Sequence, residues 1–121
     1  MQVFIDTNIL INSLKDSGVL KKRDRYFINP IVYSETLYGI LYCGKEPREL
    51  DRHLQTHGVK VVDISRETAT LYTKRKLELN RQGTPLEDND LLIASSCLEH
   101  GLPLLTNNTK HFKRVRGLEL K

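Results

Sequence analysis

Tryptophan is absent from the 121 residues, methionine occurs once and cysteine twice. Cys43 and Cys97 stand far apart and in no C-x-x-C spacing, which argues against a zinc ribbon, a dithiol redox motif and a dense disulfide framework. They read as packing residues in a reducing, cytoplasmic setting. No run approaches the roughly 18 apolar residues that a membrane span requires, and the opening fifteen residues show no long apolar stretch with a small-residue cleavage site. Neither secretion nor membrane insertion is expected. Linkers, repeats and low-complexity tracts are missing too, so residues 1–121 read as one domain. There is also no G-x-S-x-G nucleophile turn, no H-E-x-x-H zinc helix and no G-x-x-x-x-G-K-[ST] phosphate loop.

What is present alternates. Short apolar runs at Met1–Ile5, Tyr26–Asn29, Val59–Asp63 and Leu102–Leu105 have the β-branched and aromatic bias of strands, with a last candidate near Leu118–Leu120. Between them lie helix patterns. One starts at Asp6-Thr7-Asn8 and breaks at Asp16-Ser17-Gly18, and a second runs from about Val32 to Tyr42 with Leu37, Ile40 and Leu41 on one side. A third follows Pro47 over Arg48–Gln55. A fourth covers Arg66–Arg81, capped by Ser65, with Ala69, Tyr72 and Leu79 on one side, and a fifth covers Asp88–His100. Strands alternating with helices predict a three-layer α/β/α sandwich around a central parallel sheet, because parallel neighbours require crossover connections. In such folds ligands gather at the carboxyl ends of strands where the strand order reverses.

That rule directs attention to the acids. Asp6 follows the first strand, Glu35 lies near the start of the second helix, and Asp88 and Asp90 open the fifth; Thr106-Asn107-Asn108 follows the fourth strand. If the four acids converge, 19 bases face 11 remaining acids and the rest of the chain is +8, a surface suited to a polyanion. Converging carboxylates repel unless a cation offsets them, and oxygen-only donors point to Mg2+ or Mn2+. Such an ion can activate water against a phosphodiester without a nucleophilic side chain.

The segments Phe4-Ile-Asp-Thr-Asn-Ile-Leu10, Glu35-Thr-Leu-Tyr-Gly39, Asp90-Leu-Leu-Ile-Ala94 and Leu105-Thr-Asn-Asn108 followed by Phe112 resemble the PIN-domain family in order and separation. Within it the chain is similar to the small VapC-type toxins over nearly its whole length. The resemblance implies a Mg2+- or Mn2+-dependent endoribonuclease, usually a homodimer, that cuts an RNA substrate and is held inactive by a small cognate antitoxin. It carries the metal-ligand roles to Asp6, Glu35 and Asp90. The fourth position departs from the acidic pattern, since Asn108 is an amide that can ligate through oxygen but adds no charge.

Each residue also has a plain structural reading. Asp6 and Asp88 suit helix caps, and Glu35 and Asp90 could merely complement helix dipoles. Thr106 serves either a turn or the acidic site, whereas His111 reads as a surface residue. The groups Lys21, Lys22, Arg23, Arg25 and Lys113, Arg114, Arg116 are solvated faces or phosphate contacts. Tyr38, Tyr42 and Tyr72 suit core or dimer contacts. Two other functions compete: a catalytically weak PIN domain acting as an RNA- or protein-binding module, and a phosphoacceptor receiver domain with Asp63 and Lys110 in its acceptor and lysine roles.

Overall fold

The computed structural model describes residues 1–121. Four short strands, β1 (Gln2–Ile5), β2 (Arg25–Ile28), β3 (Lys60–Val61) and β4 (Leu104–Leu105), form one all-parallel sheet in the order β3-β2-β1-β4. The helices are α1 (Thr7–Lys15), α2 (Pro30–Tyr42), α3 (Arg48–His57), α4 (Arg66–Arg81), α5 (Asp88–His100) and α6 (Thr109–Phe112), with a 3-10 turn at Ser17–Val19. The chain builds outward from β1 to β3 and then returns to lay β4 on the other side of β1. Right-handed crossovers in both directions put α1–α3 on one face and α4–α5 on the other, giving the expected three-layer α/β/α sandwich. Val3, Phe4 and Ile5 are all buried, as a strand covered on both faces requires.

The departures from the sequence pattern have local causes. β3 keeps only two residues of the expected Val59–Asp63, because it is an edge strand paired with β2 alone and both its residues are exposed. The last candidate strand shrinks to a single bridge between Leu104 and Leu120. α2 starts two residues early, since Pro30 occupies its first position and needs no N–H there. On α4 the buried residues are Thr68 and Leu79, while Ala69 is exposed; on α2 Leu41 turns outward. Cys97 is buried as a packing residue, but Cys43 is exposed at the end of α2.

One residue that the sequence pattern did not single out ties the layers together. Asn29 is fully buried and caps α2, its Oδ1 accepting from the Ile31 and Val32 N–H groups at 3.0 and 3.1 Å. Its Nδ2 donates to Ser96 Oγ at 2.9 Å and to the Leu92 carbonyl at 3.3 Å, both on α5. The N-terminal end of α2 is thereby fixed against α5. Replacing Asn29 with Ala removes the cap and leaves buried donors unpaired, so urea unfolding of N29A shows a loss of about 2 kcal/mol.

A second polar contact joins α1 to α3. The buried Ser13 hydroxyl donates to the Leu10 carbonyl at 2.6 Å, so the 2.8 Å contact with His53 has the imidazole Nε2–H donating to Ser13 Oγ. Burial first, and the neighbouring His57 second, hold the His53 pKa below its ordinary 6.5. The unfolded chain therefore binds this proton more readily. Its contribution is fully present above about 6.5 and is lost as pH falls through the lowered folded value. Urea midpoints measured from pH 7.5 to 5 decline more steeply in the wild type than in H53Q.

Candidate active site

Asp6 is the first residue beyond β1 and is 5% exposed. Its Oδ1 caps α1 by accepting from Ile9 N–H at 3.0 Å, and its Oδ2 accepts a very short hydrogen bond from the Thr106 hydroxyl. Thr106 Oγ1 in turn accepts from Asn108 N–H at 2.9 Å. Asp6 thus acts as the helix cap, and Thr106 both bonds its neighbouring backbone as a turn threonine and donates to Asp6, because the two residues end adjacent strands, β1 and β4, at the point where the strand order reverses.

Glu35 comes from the second turn of α2, one turn beyond the reach of a dipole role, since that helix begins at Pro30. Both its oxygens are held: Oε1 accepts from Thr7 Oγ1 at 2.5 Å and Oε2 from Asn89 Nδ2 at 3.2 Å. Asp90, in the first turn of α5, is half-buried and accepts no side-chain hydrogen bond. The three acids open into one cleft of about 160 Å3, lined also by Thr7, Asn8 and Asn108. No lysine or arginine is ion-paired with any of them. Burial, and then the charges of Glu35, Glu87 and Asp6, push Asp90 above the usual carboxylate pKa, with His111 pulling the other way.

Asp88 does not join the cleft and is not the helix cap. It accepts from Tyr72 Oη at 2.8 Å and from Lys76 Nζ at 3.0 Å, contacts that hold its pKa below the usual value. The next residue, Asn89, was missed by sequence reasoning; an unpatterned amide between two acids carries no signal until α2 is placed beside it. With three acids in the cleft, 19 bases face 12 remaining acids, +7 rather than +8. Of those bases, Arg116 is tied to Glu78 at 2.6 Å, and Lys21 and Arg23 border a different and larger cleft of about 700 Å3 with an apolar floor.

The donor chemistry fits a hard divalent cation: oxygen-only groups, one small cleft, uncompensated negative charge. As the side chains stand, however, no three of the chain's acidic, histidine or cysteine groups are close enough to share one ion. Glu35 is turned to Thr7 and Asn89, and Asp6 to Thr106 and the α1 N-terminus, which are the partners available to separated carboxylates.

The parallel α/β/α sandwich defines a class of protein, and the chain belongs to it: residues 3–118 match the PIN domain model. Its relatives are VapC ribonucleases. Ribonuclease VapC2 of Rickettsia felis is 33% identical over 132 residues, covering 100% of this chain and 97% of the relative. The tRNA(fMet)-specific endonuclease VapC of Shigella flexneri is 31% identical over 126 residues, covering 98% and 95%. Among solved structures, VapBC2 of Rickettsia felis bound to a promoter DNA fragment superimposes with a TM-score of 0.81 at 28% identity, covering 100% of this chain and 98% of the other. VapBC-1 of nontypeable Haemophilus influenzae gives 0.79 at 29% identity, covering 100% and 97%.

Because the ionised form of Asp90 is disfavoured in the fold, removing its charge stabilises the protein. In chelator at neutral pH, D90N unfolds at a higher urea midpoint than the wild type, by about 0.5–2 kcal/mol.

Proposed function

We propose that residues 1–121 form one PIN domain acting as a metal-dependent endoribonuclease, the toxin component of a toxin–antitoxin pair. The observation that carries this reading is the meeting of Asp6, Glu35 and Asp90 in one cleft without a basic partner, in a chain whose relatives are named ribonucleases. Mg2+ or Mn2+ is the cofactor, and Asp6, Glu35 and Asp90 would hold it, with Asn108 at the cleft wall as an uncharged oxygen donor. A bound divalent ion supplies Lewis acidity, lowering the pKa of water and neutralising charge on the phosphodiester. The chain supplies placement. Asp6 is steadied by Thr106, and Glu35 by Thr7 and Asn89, so two carboxylates keep defined orientations; Asp90 has no such restraint and is the acid free to reorient or to position the attacking water.

The antitoxin is the expected protein partner, as the solved VapBC complexes suggest. A homodimer fits the outward face of α2, where Tyr38 is 71%, Leu41 51% and Tyr42 81% exposed and the two tyrosine rings stack with centroids 6.1 Å apart. Leu37, on the same helix, packs partly against the core. No helix is long and apolar enough to cross a membrane, and a cytoplasmic location accords with the two free thiols. The reading as a weakly catalytic binding module keeps one supporting observation, the neutral Asn108. The receiver-domain reading falls with the family match.

Incubation with total RNA tests the reading. Fragments appear with Mn2+ or Mg2+, vanish with chelator, and are lost in D6N and D90N, a fall of about 100-fold or more. Mn2+ also raises the melting temperature of the wild type and not of D90N. RNA that survives every lane while binding persists transfers the protein to the binding reading.

A further inference from the structure

The acidic cleft does not end at Asn108. Asp90 and Asn108 also line a second hollow of about 320 Å3, whose other walls are the Pro85–Glu87 loop, His111 and Arg114. The two depressions therefore adjoin at Asp90 and Asn108, the first acidic and the second carrying an imidazole and a guanidinium. Among the bases of the chain these two are placed for it, whereas Lys76 and Arg116 are committed to Asp88 and Glu78.

Both groups are oriented. Asn108 Nδ2 lies 2.8 Å from His111 Nδ1, so the amide donates, Nδ1 accepts, and the proton of the neutral ring sits on Nε2. In the neutral ring a carboxylate at 108 would require the opposite tautomer, with Nδ1–H donating and Nε2 left without a proton. Arg114 Nη1 donates to the Pro85 carbonyl at 3.2 Å, bracing the opposite wall, and its remaining N–H donors have no protein acceptor. Glu87 lines the same hollow, so an anion is drawn to the His111 and Arg114 side.

We propose that this hollow is a phosphate subsite for the RNA, holding the phosphate next to the scissile one through His111 Nε2–H and the free donors of Arg114, and that Asn108 sets the His111 tautomer. The assignment rests on the nuclease reading and gives the neutral residue at 108 a purpose. A polyanion laid across three carboxylates needs an adjoining point of attachment, and fixed N–H donors supply it.

The test uses the full chain and the variants H111A, H111Q, R114A and R114K, with urea midpoints confirming that each is folded. Binding of a fluorescein-labelled single-stranded 12-mer oligoribonucleotide and of labelled total tRNA is followed by anisotropy in chelator across NaCl concentrations. H111A and R114A each weaken binding about five-fold, and R114A reduces the salt slope by about one while R114K restores it. H111Q, which keeps an N–H donor, recovers part of the loss. In cleavage assays KM rises by a similar factor and kcat stays within about two-fold. Wild-type RNA affinity in both alanine variants overturns the subsite while leaving the nuclease reading intact. Reduced Mn2+ affinity of H111A by calorimetry, with RNA binding unchanged, also overturns it and assigns His111 to the metal. Loss of RNA binding in the variants of a protein that cuts no RNA refutes the nuclease reading and overturns the subsite with it, since no phosphate is then scissile, and leaves a hollow that only binds RNA.

Discussion

Three carboxylates in one small cleft with no cationic side chain repel one another, and much of the surrounding polar structure holds them there against that repulsion. Like charges repel more strongly at the lower effective dielectric of a partly buried site than in open water. The fold meets this with hydrogen bonds to the ionised oxygens, which are stronger than neutral ones. Asp6 accepts from the N-terminal turn of α1 and from Thr106, and Glu35 accepts from Thr7 and Asn89. Asp90 accepts none and absorbs the remaining strain, its pKa raised by burial and by the neighbouring acids. Its ionised form is thereby disfavoured in the fold.

The restraints on the acids depend on elements far apart in the chain. Asn29 anchors the start of α2 to α5, the helices that carry Glu35 and Asp90. Asp88 is pulled to α4 by Lys76 and Tyr72, while Asn89 reaches Glu35 and Asp90 lines the cleft. Three consecutive residues at one helix start thus serve three purposes, a division that follows from helical geometry because successive side chains point about 100° apart.

Similarity to the VapC ribonucleases extends over the whole chain, and the sheet and helices superimpose accordingly. One pair at the mouth of the cleft differs in character from the acids inside it. Asn108 and His111 are paired there, and the amide and imidazole give that rim hydrogen-bond donors beside carboxylates that only accept when ionised.

The strand and helix alternation and the parallel sheet were legible in the sequence, because apolar periodicity, caps and turn residues act over a few positions, and the family resemblance directed attention to Asp6, Glu35 and Asp90. The extents of α4 and α5 could be read to the residue from Ser65, Gly83, Asp88 and Gly101. What could not be read depended on partners distant in the chain. β3 is short because it is an edge, Leu41 faces outward because no element covers that side of α2, and Asp88 leaves the cleft because α4 brings Lys76 beside it. Asn29, Asn89 and His111 lacked any local signature, since an amide or imidazole acquires its meaning from the group it meets. Local chemistry thus determined which elements form and which acids follow them, and tertiary packing alone decided which side chains meet, because those hydrogen bonds join residues up to a hundred positions apart.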